Sequence, residues 1–202
     1  MTSPIFRLSK SKVSMLTLPS VKEIARSATF KFRVFAIAFC LMASMSINAH
    51  EPSQMQALIA QSLSKLQQPS PEAFLNCIAE LKRIDAMFPD SIQPKYQMAL
   101  QSLNFSVMNP HAEQTKNLLI ESAQTINKME QMKGADLSDV YTLRGFLYMV
   151  RIVQDPVQNG QRYYLDTMQN YEKALKINPD NELAKQLQQK FYEGMKQATG
   201  KR

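Results

Sequence analysis

The residues that most readily do chemistry are few in this chain. Two histidines, His50 and His111, and two cysteines, Cys40 and Cys77, are all it has of either type. Zinc sites draw on three or four His, Cys or carboxylate ligands at close spacing. With Cys40 in an apolar leader and Cys77 alone beyond it, no His/Cys set can form and no internal disulfide is possible. Cys77 stands among Leu75, Ile78 and Leu81, which suits a buried small apolar residue better than a catalytic thiol. Asp85, Asp90, Glu113 and Glu121 are scattered at expected helix ends and on exposed faces. They read as solvated surface and not as an acid–base pair. In "DLSD" (136–139), Asp136 fits a helix N-cap and Asp139 an acid in the first turn, where the helix dipole favours negative charge. No nucleophile elbow, phosphate-binding glycine loop or dinucleotide fingerprint occurs. The expectation is a non-enzyme with no catalytic residue, no metal site and no cofactor.

Charge adds a second constraint. The formal net charge is +7 over 202 residues. Residues 1–49 hold seven basic groups and one acid, Glu23, leaving +1 for the remainder. A nearly neutral body lacks the electrostatic footprint of a nucleic-acid binder. The basic stretch leads into "VFAIAFCLMASMSI", behind Lys31 and Arg33, and then "NAHEPSQ". A positive segment, an apolar run and a small residue before the cut are the parts of a secretory signal peptide, here cleaved after Ala49. The run is short for a membrane span, which needs about 20 residues. An uncleaved anchor and an organelle transit peptide are the alternatives. The segment ahead of the apolar run is long for a signal peptide, so the leader is atypical or its true start lies downstream. Phe39 before Cys40 does not fit a lipoprotein site. The expected division is 1–49 leader, 50–198 domain and 199–202 tail. The mature protein is expected to be periplasmic or secreted, with no membrane span and no nucleic-acid partner.

Prolines and turn residues cut the rest into helix-length pieces. Residues 53–68, 70–88, 94–108, 111–133, 137–154, 164–177 and 181–197 each carry apolar residues at helical spacing. Ser70 and Pro71 suit an N-cap and first helical position, Asn109 and Pro110 repeat that pair, and Gly134 suits a left-handed helix end. "DPVQNGQRYY" (155–164) reads as a loop. Strand-like alternation is missing, so the fold class expected is all-α.

"YEKALKINPDN" places Tyr171, Ala174, Leu175 and Pro179 at the spacing of a second-helix end in the tetratricopeptide repeat, a helical hairpin of about 34 residues. Tyr141, Gly145 and Tyr148 match the large, small and large positions of its first helix. The chain therefore resembles the tetratricopeptide repeat family. Tyr148 and Ala174 lie 26 residues apart, about ten more than the repeat has between those positions. The excess matches the length of the 155–164 loop. Earlier pairs (53–68 with 70–88, and 94–108 with 111–133) match more weakly. The stretch 141–164 is also similar to one in small exported repeat proteins of Gram-negative bacteria, in which an Asp-Pro-x-x-x-Gly loop interrupts a repeat. There the capping helix usually carries a glycine-containing segment, and "LAKQLQQKFYEGMK" differs.

The resemblance implies a right-handed α-solenoid of about three hairpins with a C-terminal capping helix. It also implies a groove lined by the first helix of each pair. The groove positions fall on Pro94, Gln97, Gln101 and Asn104, and on Asp139, Thr142, Phe146 and Met149. Phe146 and Met149 equally suit packing beneath a neighbouring helix. Arg162 and Tyr164, in the expected loop, are residue types enriched at interfaces; Tyr163 and Tyr164 equally suit pinning that loop to its hairpin. The function expected is a scaffold that binds a protein or peptide. An obligate structural subunit of a cell-envelope complex is the alternative.

Overall fold

In a computed structural model, residues 50–199 are described, with side chains for 54–197. The expected leader, its cut after Ala49, Cys40 and all of the expected tail but Thr199 lie outside the described residues. The described chain is all-helical: seven α-helices and a short 3₁₀ turn, with no strand among the described residues. The helices are α1 His50–Ser64, α2 Pro71–Met87, α3 Ile92–Met108, α4 Thr115–Glu130, α5 Leu137–Gln154, α6 Pro156–Ile177 and α7 Glu182–Thr199. No described helix is long and apolar enough to cross a membrane.

Local chemistry sets most of the boundaries. Ser70 caps α2 by accepting from the Ala73 amide at 3.1 Å, with Pro71 in the first turn. Asp136 caps α5 by accepting from Ser138 and Asp139 at 2.8 and 3.4 Å. Each satisfies amides that the helix itself leaves unpaired. Asn109 and Pro110 do not open a helix as expected. The Asn109 amide donates to Phe105 O at 2.9 Å and closes α3. Its own carbonyl then accepts from Thr115 Oγ1 at 2.6 Å, which fixes where α4 starts. Gly134 takes the left-handed conformation at φ +81°, but in the turn after α4, which has ended at Glu130.

The expected loop at 155–164 is helix. Asp155 is both the last cap of α5 and the N-cap of α6, accepting from the Gln158 amide at 3.0 Å. Pro156 sits where its missing N–H costs nothing, and Gly160 is absorbed into the second turn. Asn159 donates to Arg151 O at 2.8 Å across the one-residue connection. Residues 156–164 thus form the first turns of α6, with Asp155 alone between the two helices.

Each helix packs on its chain neighbour. In addition α3 lies on α5, and α5 on α7. The main core gathers Leu103, Leu119, Ile126, Leu143, Val150 and Tyr171 with others, and smaller clusters sit at α1–α2 and α2–α4. Gly145 supplies the close approach of α5 and α6. A Cβ there would fall 2.7 Å from the Tyr171 ring. Ala174, the other small position, is fully buried, and its carbonyl accepts from Ser138 Oγ at 2.9 Å. Cys77 is buried, and burial, followed by the nearby Glu80 carboxylate, pushes its thiol up to about 11.

Lys95 had no signal in the sequence. It is 1% exposed, and its ammonium donates to Asp85 Oδ1 (2.6 Å), Pro89 O (2.6 Å) and Ser91 O (3.1 Å). All three donors are satisfied, which ties α3 to the end of α2 and the turn between them.

Candidate partner-binding surface

Three of the expected groove residues form a connected row. On α3 the spacing 97, 101, 104 places the side chains on one stripe. Gln101 Nε2 donates to Gln97 Oε1 at 3.4 Å, and Asn104 Nδ2 donates to Gln101 Oε1 at 3.2 Å. Gln97 and Asn104 are half-buried, and Gln101 is 8% exposed. A run of amides ordered by one another offers both donors and acceptors along one line. On the same helix Ser102 and Ser106 are buried, with Ser106 Oγ donating to Ser102 O at 2.7 Å.

The α5 residues of the expected groove are differently placed. Thr142, Phe146 and Met149 are buried. Thr142 Oγ1 donates to Ser138 O at 2.7 Å and accepts from Asn181 Nδ2 at 3.3 Å. Phe146 and Met149 belong to the main core together with Leu187 and Phe191 of α7, and the Tyr171 hydroxyl donates to Met149 Sδ at 3.8 Å. These two therefore pack beneath neighbouring helices and do not present a surface. The residue that organises this end is Asn181, which the sequence reading passed over. Its Nδ2 also reaches Ser138 Oγ at 2.9 Å and Asp139 Oδ1 at 3.1 Å, while its Oδ1 caps α7 at the Ala184 amide, 3.0 Å away. Its place two residues after Pro179 and just ahead of α7 was a capping signal; its reach back to α5 was not legible.

Arg162 and Tyr164 sit on the first turns of α6, not on a loop. Tyr164 packs on Phe191 of α7, with ring centroids 5.5 Å apart. Tyr163 stacks on Tyr148 at 5.3 Å. Arg151 lies over both of those rings, and Arg162 over Tyr163 at 5.0 Å. The tyrosines thus pin the hairpin tip, and of the expected pair only Arg162 remains exposed.

A cleft of about 350 Å³ opens at the N-terminal ends of α3 and α5. Its lining includes Gln93, one turn before Gln97 on the same stripe, and Asp139, a position of the expected groove. Burial, with the Asp136 charge behind it, raises the Asp139 carboxyl above its ordinary range. Burial, then Asp139 and Asp136, also push the Tyr96 phenol up. On the far side of α5, Arg144 holds Glu130 in a two-armed pair at 3.1 and 2.8 Å, which lowers the Glu130 carboxyl. Among the described residues no three His, Cys, Asp or Glu side chains gather closely enough to hold a metal ion.

No family model, no curated protein and no solved structure matches the chain.

Proposed function

We propose that the chain is an exported, non-enzymatic helical-repeat protein that docks a protein or peptide along α3. In this reading α1–α2, α3–α4 and α5–α6 are three tetratricopeptide-like hairpins of a right-handed solenoid, and α7 is the cap. Chain-order packing, with α3 also on α5 and α5 on α7, supports it. That is the contact pattern of stacked hairpins whose first helices line one side. Export is supported by the leader's composition, a basic segment followed by an apolar run and Ala49.

The observation that carries the binding role is the Gln97–Gln101–Asn104 row. Pre-ordered amides recognise an extended backbone or polar side chains at low entropy cost. The test is partner recovery from the envelope fraction after crosslinking, with Gln97→Lys/Asn104→Lys against Gln124→Lys on the exposed face of α4. The double variant should keep its unfolding midpoint and lose the partner, while the control retains it. Equal recovery from both would refute the assignment.

One observation favours the obligate-subunit alternative. Val157 and Leu165, eight residues apart and so on one face of α6, are 92% and 65% exposed. A permanent subunit should self-associate or precipitate without its complex; a dissociable scaffold should sediment as a monomer.

A further inference from the structure

We propose that the cleft between the N-terminal ends of α3 and α5 receives a lysine or arginine side chain of the partner segment that lies along the α3 amide row; this rests on the docking role given above. The cleft has two chemically distinct parts. Met55, Ile92, Met129 and Val140 give it an apolar lining, and Asp136 and Asp139 give it two carboxylates. A lysine or arginine has the same two parts, an apolar stem and a cationic head. The Tyr96 ring, also in the lining, adds a face that attracts cations.

The hydrogen-bond donors to the two carboxylates are neutral amides. Asp136 Oδ1 accepts from two backbone amides, and Asp139 Oδ1 accepts from the Asn181 amide. The ion pairs found among the described residues involve Glu80, Glu121, Asp85, Glu130, Asp180 and Glu182, and neither of these two. An anion would meet two like charges here, and a purely apolar group would take away the carboxylates' remaining solvation and supply no counter-charge. A metal ion lacks the ligand set. The location ties the cleft to the row: Gln93 lines it and continues the stripe of Gln97 and Gln101 by one turn. A segment following that stripe toward the N-terminus of α3 arrives at the carboxylates.

The test uses two probes, an end-blocked heptapeptide of alternating leucine and lysine and its counterpart with glutamate for every lysine. Each is titrated into ¹⁵N-labelled protein, and the comparison protein is Asp136→Asn/Asp139→Asn. Asparagine is also a good N-cap and still accepts from Asn181, so the fold should persist; the unfolding midpoint checks this. The lysine peptide should shift the backbone amides of Gly134, Asp136 and Asp139 together with the side-chain amides of Gln97 and Asn104. Its affinity should fall at least tenfold in the double variant and weaken with added salt. The glutamate peptide should leave the cleft signals in place. If the lysine peptide shifts the Gln97 and Asn104 side chains with undiminished affinity in the double variant, the row binds but the cleft assignment fails. If neither peptide moves any α3 or cleft signal, the cleft assignment and the docking role fail together.

Discussion

Three glycines lie inside described helices, and the same substitution at each should have opposite signs. Gly160 and Gly194 have nothing within 4 Å of a built Cβ. Alanine there gains helix propensity and reduces unfolded-state freedom, worth about 0.5–1 kcal/mol. At Gly145 a Cβ would stand 2.7, 2.9 and 3.1 Å from Cε1, Cδ1 and Cζ of Tyr171. That ring is 0% exposed, and its hydroxyl donates to Met149 Sδ, so it has no solvent to move into. Overpacking of this kind costs about 1–3 kcal/mol. Set against the propensity gain of about 1 kcal/mol, Gly145→Ala should come out destabilising by about 1 kcal/mol. Urea denaturation followed by helical circular dichroism reads all three variants. A double-mutant cycle identifies the cause: in a Tyr171→Leu background the cost of Gly145→Ala should vanish or reverse, a coupling on the order of 1–3 kcal/mol. If Gly145→Ala raises the midpoint as Gly160→Ala does, the close approach of α5 and α6 is misplaced and the packing argument fails.

Further outcomes follow from the polar contacts. Lys95→Met should cost about 3 kcal/mol in the same denaturation assay, because it strands the Asp85 carboxylate and two carbonyls in a mostly buried site. Asn181→Ala removes a cap and three reaches to α5, so hydrogen exchange should speed up across α7 before the rest of the chain. Glu130 is held below its ordinary 4.5 by Arg144, so its contribution is whole above that value and is lost as pH falls through the folded one. Glu130→Gln should therefore flatten part of the acid limb of stability against pH. Asp139 has the opposite sign. Its raised carboxyl makes stability fall as pH rises from 3.8 toward the folded value, so Asp139→Asn should relieve that loss.

The sequence carried the helices well where a side chain marked the boundary locally. Ser70 with Pro71, and Asp136 with Asp139, announced α2 and α5 because capping is a matter of a few adjacent residues. It failed at 155–164, where Pro156 and Gly160 looked like breakers. Only the hairpin's tertiary contacts, Tyr163 on Tyr148 and Asn159 on Arg151, show that a proline at the first position starts a helix there. The repeat resemblance named Gln97, Gln101 and Asn104, and their spacing puts them on one face of α3, where they join in a row. The fate of Phe146 and Met149 was not, since it depends on where α7 lies. Lys95 was invisible for the same reason, since its partners stand on another helix and in the turn between, and of Asn181 only the cap of α7 was legible, not the reach back to α5.

The central claim is that the α3 row is the docking surface, and site-specific photocrosslinking in the host cell tests it most directly. A photoreactive residue is placed at Gln97, at Asn104, or at the exposed Gln124 on α4, and each variant's chain is recovered from the envelope. The account predicts the same discrete crosslinked partner from positions 97 and 104 and none from 124, on a chain whose N-terminus is His50. Crosslinks from 124 alone, or none from 97 and 104 in a chain that folds normally, would contradict it.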